Sequence, residues 1–244
     1  MCGRYTQTKA EALLRKRFRL SRVEVPLVPR YNLAPGQDAP VVVAEGAGRV
    51  LRPMRWGLVP RWAVDPSAAA RTINARAETL AKRPAYRDAF RERRCLVPAD
   101  GFYEWKKVGG RKVPLRYVVD GGEPFALAGL FEPPRAPGEP PTFTVVTTPA
   151  NELVAEVHDR MPAVLREEDE EAWLDPKRAD PGELQKLLRP FPPERMEARR
   201  ASPRLNRVEN DDPGCLEEEA WEEKRGAAGK RPLPAQRSLF DDEE

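Results

Sequence analysis

From residue 41 to residue 148 the chain returns to short runs that suit an extended backbone: VVVA at 41–44, RVLRPMRWGLV at 49–59, GFYEW at 101–105, KVPLRYVV at 112–119, EPFALAGLF at 123–131 and TFTVVTT at 142–148. β-branched and aromatic residues are prominent in these runs, and such side chains fit a pleated, half-buried surface. Strands and helices interleave without a regular βαβ alternation, so the sheet is expected to be antiparallel and the fold class α+β. Gly121–Gly122 reads as a hairpin turn. CLVPADGFYEW reads as a break at Pro98 and a turn at Asp100–Gly101 ahead of the strand that carries Glu104. RYNLAPGQ at 30–37 reads as a loop. Helices are expected over 8–18 behind a Thr8 cap, over RPAYRDAFRERR at 83–94, and over ANELVAEV, with Thr148 as its cap and Pro149 in its first turn. That last helix delivers His158 at its C-terminal end, and 166–200 reads as helical and amphipathic. Length alone allows one sizeable core or two small ones; one domain over 1–222 with a tail is expected. The apolar-poor segment 223–244 is expected to be a disordered tail.

Composition excludes several classes. No stretch approaches the roughly 20 apolar residues of a membrane helix, and MCGRYTQTKAEALLRKRF lacks the apolar core of a signal peptide, so a cytoplasmic, nucleoid-associated protein is expected. Cys2, Cys95 and Cys215 form no CxxC pair, and His158 is the single histidine, so neither a disulfide scaffold nor a metal site is expected. No cofactor is expected either. The net charge of +3 conceals an asymmetry: residues 49–116 hold 17 Lys or Arg against 6 acids. A basic surface on a folded scaffold suits an anionic polymer.

The residue with the most chemistry is Cys2, directly behind Met1. Removal of Met1 leaves an amine and a thiol on adjacent carbons, a 1,2-aminothiol. Such a group takes an aldehyde in two linked steps: the amine forms a Schiff base, then the thiol closes a five-membered thiazolidine. With ordinary pKa values of about 7.7 to 8.0 and about 8.5, both nucleophiles are poised near neutral pH. Glu104 is a candidate general acid or base if its strand turns it into a pocket. Asn74, Arg76 and Glu78 alternate in NARAE and project to one side if that segment is extended.

MCGRY, YNLAPGQ, WGLVPRWA, INARAET, RCLVPADGFYEW and HDRMP follow one another in order over some 160 residues. This series resembles the SOS response-associated peptidase (SRAP) family. The resemblance implies a single α+β SRAP domain with an antiparallel β-barrel-like core and a positively charged cleft for single-stranded DNA. It implies an abasic-site sensor and shield, in which Cys2 attacks the ring-opened aldehyde of an abasic deoxyribose and ends as a thiazolidine crosslink. Asn74, Glu104 and His158 fall inside the family's active-site motifs. Glu104 and His158 suit the proton transfers, Asn74 suits holding the sugar or the N-terminal backbone, and Arg4 and Arg76 suit the flanking phosphates. Trp56 and Trp62 are candidates for base stacking. A monomer is expected. β-Elimination from the Schiff base makes weak strand cleavage an expected side activity.

Two other functions fit the same residues: a cysteine hydrolase with Cys2 as nucleophile and His158 as base, matching the family's peptidase label, and a non-covalent single-stranded-DNA module. Near the C-terminus, QRSLF at 236–240 resembles the pentapeptide by which bacterial proteins dock on the replicative sliding clamp. That resemblance implies a clamp partner held through Gln236, Leu239 and Phe240.

Overall fold

The structure, a computed structural model, describes residues 2–218. The tail 223–244, with Gln236, Leu239 and Phe240, lies outside the described residues. In chain order the elements are β1 (Tyr5–Gln7), α1 (Glu11–Phe18), β2 (Leu20–Val23), β3 (Arg30–Leu33), β4 (Asp38–Glu45), β5 (Gly48–Trp56), β6 (Asn74–Arg76), α2 (Arg87–Glu92), β7 (Arg94–Ala99), β8 (Gly101–Val108), β9 (Arg111–Val119), β10 (Phe125–Glu132), β11 (Thr142–Pro149), α3 (Glu152–Ala155), β12 (Arg160–Pro162), β13 (Val164–Leu165), α4 (Glu170–Leu174), α5 (Pro181–Leu187) and β14 (Met196–Arg200). None of these helices is long and apolar enough to cross a membrane.

Two sheets carry the fold. One runs β14-β9-β8-β1-β3; the other runs β12-β11-β10-β7-β4-β5-β2, with β13 on β10 and β6 on β11. Pairing is antiparallel except for β2 on β5 and for β5 and β6 on β11. This is the expected α+β class with an antiparallel, barrel-like core. Period-two alternation divides the interior into layers. Val41, Val43, Cys95, Val97, Leu127 and Val145 pack with Cys2, Tyr5, Phe102 and Tyr117 of the facing sheet. Their sequence neighbours Val42, Leu96, Ala126 and Val146 turn the other way, onto Leu14, Phe18, Trp173 and Leu184 of the helices. A sheet buried on both faces explains why Val41, Val42 and Val43 are apolar without a break. A third cluster, Tyr103 with Ala201, Leu205 and Cys215, covers the outer face of the five-stranded sheet.

Several sequence expectations are corrected. β7 continues through Pro98, which pairs with Ala126, while its pairing to β4 involves only Val42 and Leu96; the missing N–H costs no ladder bond there. Gly121–Gly122 is not a hairpin, because β9 and β10 belong to different sheets. The hairpin turn is Gly109–Gly110, both at positive φ (55° and 79°), where glycine suits the tight β8–β9 connection. Arg30–Leu33 is a strand, not loop. Thr8 spends its amide and hydroxyl on Asp100 (2.6 and 2.7 Å) and does not cap α1. The helix expected from Thr148 is shorter: β11 runs to Pro149, and Asn151 caps Glu152–Ala155 by accepting from the Val154 amide at 3.0 Å. Within 166–200 the helices are short, and Met196–Arg200 is a strand on β9.

Candidate active site

The N-terminal strand is pinned on both sides. Tyr5 pairs with Phe102 of β8 and with Leu33 of β3. Asp100, fully buried at the start of β8, accepts from Thr8 and binds Arg116 at 2.7 Å. A buried carboxylate is tolerated only when its lone pairs are satisfied in this way. Asn32 makes a second tether by donating to the carbonyls of Arg207 (3.0 Å) and Asn210 (2.8 Å) while its Oδ1 accepts from Arg4 (2.6 Å). Cys2 is therefore delivered into the interior with 0% of its surface exposed. Its carbonyl accepts from Asn74 Nδ2 at 2.8 Å, and its Sγ lies 3.8 Å from the Arg4 carbonyl. Asn74 reaches it because β6 lies parallel to β11, with Asn74 opposite Val145. Burial, and then the Glu104 carboxylate, push the Cys2 thiol far above its usual range.

Glu104 is 5% exposed. Its neighbours Tyr103 and Trp105 alternate away from it, as the strand pattern requires. Burial raises its carboxyl above the ordinary range, and His158 opposes that rise. Glu104 and His158 line one cleft of about 760 Å³ together with Arg4, Trp105, Lys106, Lys107, Lys112, Glu156, Val157 and Asn206. The His158 Nδ1 accepts from the Arg160 amide at 2.9 Å. The same nitrogen lies 2.9 Å from the Asp159 carboxylate. Cys2, Asn74, Glu104 and His158 are thus brought to one place from four separate segments.

The expected DNA contacts divide. Trp62 is 63% exposed in the loop after β5. Trp56 is 1% exposed, rests on Tyr5 (5.2 Å) and Phe143 (6.1 Å) and donates to the Ile73 carbonyl at 2.8 Å. It is a core residue and cannot stack on a base; a tryptophan ending an apolar strand was already ambiguous. Arg4 lines the cleft but is half-buried, donating to Asn32 and to the Leu205 carbonyl (2.9 Å) with its guanidinium 5.9 Å from the Trp105 ring. Arg76 is exposed at the end of β6. Glu78 does not align with it: the chain turns into a 3-10 helix at Ala77–Thr79, and Glu78 pairs instead with Arg160 (2.6 and 3.0 Å), which holds its carboxyl below the usual range.

The basic excess of 49–116 is partly spent on the protein's own carboxylates and carbonyls. Arg49 pairs with Glu170, Arg55 with Asp38, Arg93 with Glu132 and Arg116 with Asp100. Arg94, buried, gives its N–H groups to the carbonyls of Phe90, Arg91, Trp173, Asp175 and Arg178, and burial lowers it to about 10. Arg71, Arg76, Lys82, Arg83, Arg91, Lys107, Arg111 and Lys112 make no ion pair among the described residues. Sequence reasoning gave Asp100, Asn32 and Trp105 no part in the site. A charged residue amid VPADGF is a signal for Asp100; nothing local marks Asn32, whose side-chain amide donates to carbonyls more than 170 positions away.

A family model described as SOS response associated peptidase (SRAP) matches residues 1–208. The abasic site processing protein YoqW of Bacillus subtilis is 40% identical over 89% of this chain and 99% of its own length. The abasic site processing protein HMCES of Gallus gallus is 36% identical over 88% of this chain and 77% of its own. A crystal structure of a protein from Bacteroides thetaiotaomicron superposes with a TM-score of 0.79 at 27% identity, covering 89% of this chain and all of that one.

Proposed function

The chain belongs to the SOS response associated peptidase family, and on that premise we propose that it recognises abasic sites in single-stranded DNA and shields them by covalent attachment through Cys2. The observation that carries this reading is the hydrogen bond from Asn74 to the Cys2 carbonyl, which holds the second residue of the chain in a buried site beside Glu104. Such an anchor fixes an N-terminal nucleophile that is otherwise at a fraying chain end. Relatives named abasic site processing proteins support the substrate.

With Met1 removed, the Cys2 amine adds to the sugar aldehyde, and the carbinolamine loses one water to give the Schiff base. The thiol then adds to the imine carbon, and its proton goes to the imine nitrogen. A buried thiol keeps its proton at neutral pH, so ring closure needs a group that takes this proton and returns it. In this reading Glu104 carries that proton, and the His158 imidazole serves the proton that leaves with water. Asn74 Oδ1, buried with no partner among the described residues, is an acceptor for the sugar or the amine in this reading. An aldehyde trap is consumed, whereas a hydrolase turns over. Titrating abasic oligonucleotide with protein is therefore expected to reach a plateau at one denaturant-resistant adduct per lesion; release of processed product beyond one equivalent points to the hydrolase instead.

Arg76 and the unpaired lysines of the β8–β9 hairpin track phosphates in this reading, with Trp62 offered to a base. Arg76→Ala should lower the slope of log K against log salt by about 0.7 on single-stranded DNA, measured by fluorescence anisotropy. An unchanged slope removes Arg76 from the phosphate contacts. The C-terminal QRSLF is a tether to the sliding clamp, a proposal that rests on its sequence pattern alone. A peptide covering 230–244 should bind the clamp of the source organism and lose binding with Leu239→Ala and Phe240→Ala; no binding at all ends the idea.

A further inference from the structure

Tyr117 presents a group that the chemistry above does not use. It stands opposite Phe102 in the β8–β9 ladder, and the two rings stack with centroids 5.1 Å apart and planes at 15°. Glu104 is two residues further along β8, on the same face as Phe102. Glu104 and Tyr117 are therefore diagonal neighbours across the strand pair, within reach of a side chain as long as tyrosine. Tyr117 is fully buried, and its hydroxyl has no hydrogen-bond partner among the described residues. Buried hydroxyls are nearly always satisfied, and phenylalanine would fill the same space at no such cost.

Burial first, then Glu104 and then Glu156, push the Tyr117 phenol up to about 12, and Glu156 lines the cleft. The phenol thus keeps its proton throughout the physiological range and is available as a donor. The other charged or titratable groups around Glu104 come from different elements. They include the chain's α-amine and the Cys2 thiol at the N-terminus, His158 and Asp159 after α3, and Arg4 and Lys106 at the cleft.

We propose that the Tyr117 hydroxyl is a positioning donor for Glu104, turning to the carboxylate when that group ionises during the reaction and stabilising the charged form. The inference rests on the reading of Glu104 as the proton carrier of the site. It divides the work on one carboxyl: the buried wall raises its affinity for a proton, and the phenol limits how far that goes. Tyr117 acts through Glu104 and touches no reacting atom.

The test compares full-length protein beginning at Cys2 with its Glu104→Gln and Tyr117→Phe variants, following crosslinking rate against pH. The limb that disappears in Glu104→Gln belongs to Glu104. In Tyr117→Phe that limb should move upward by about one pH unit, the loss of a hydrogen bond to a charged group. Thermal stability should hold or rise, because a partnerless hydroxyl leaves the core. A limb in the same place overturns the proposal. The side-chain carboxyl of Glu104, assigned by 13C NMR in DNA-free protein, should show the same upward shift. That readout stands even where no crosslink forms, so failure of the proposed function and failure of this inference are separable. Replacing Tyr117 by 3-fluorotyrosine keeps the packing and strengthens the donor, so it should move the midpoint downward; a shift in the opposite direction also overturns the proposal.

Discussion

Protein that begins at Cys2 is expected to leave a denaturant-resistant adduct on abasic single-stranded DNA, and Cys2→Ala to leave none while still binding that DNA within a few fold. The expectation follows from what each atom supplies. Alanine keeps the α-amine and can form a Schiff base, but imines hydrolyse, and without the thiol nothing closes the ring. Cys2→Ser keeps a hydroxyl, a weak nucleophile at neutral pH, so its adduct should survive denaturation only after borohydride reduction. Retained Met1 should abolish the stable adduct as completely, because the Cys2 nitrogen is then an amide. DNA binding should persist in all three, since the cleft lysines Lys106, Lys107 and Lys112 lie on the β8–β9 hairpin. A full-strength adduct from Cys2→Ala, seen as a shifted band on a denaturing gel, would transfer the chemistry to another residue.

The second large effect is expected at Glu104. Glu104→Gln keeps the shape and removes the proton, and adduct formation should slow about 100-fold or more, the usual range for loss of a general acid or base. His158→Ala should slow it by about tenfold, because the imidazole is partly exposed and water can stand in. Burial raises the Glu104 carboxyl, so the group holds its proton to higher pH than an ordinary carboxyl and loses it only as pH climbs through that raised value. The wild-type pH profile should carry this limb and Glu104→Gln should lack it. Single-turnover kinetics at saturating DNA separate rate from affinity. A loss of affinity equal to the loss of rate in either variant would make that residue structural instead.

Much of this site was legible because its members sit in compact motifs. Cys2 is conspicuous by position alone, and strand alternation put Glu104 on a face apart from Tyr103 and Trp105, as the structure has it. The family resemblance then joined Asn74 and His158 to them. What alternation cannot reveal is which face is buried when both are. Trp56 looked available for DNA because an aromatic at a strand end suits either role, and only the opposing sheet, with Tyr5 and Phe143, decides it. The same limit applies to Pro98: it reads as a strand breaker until the pairing partner on its N–H side is known. Gly109–Gly110 and Gly121–Gly122 are alike as dipeptides, yet one closes a hairpin and the other passes the chain between sheets. The charge count misled in another way. Arg94 and Arg116 are as basic as Arg76 on paper, but tertiary contacts commit them to buried carbonyls and to Asp100. The unpartnered phenol of Tyr117 had no sequence signal, because its environment is set by a register that joins residues across the β8–β9 pair.

The central claim is that both functions of the Cys2 aminothiol end in one ring, and thiol accounting on the adduct tests it most directly. The adduct is denatured, alkylated with iodoacetamide, digested and mapped by mass spectrometry. The account predicts a DNA-bearing peptide that starts at Cys2, lacks Met1, carries the abasic sugar minus one water and takes up no alkyl group, while Cys95 and Cys215 are both alkylated. An N-terminal peptide that retains Met1 and still bears the DNA, or an adduct in which Cys2 is alkylated, would contradict it.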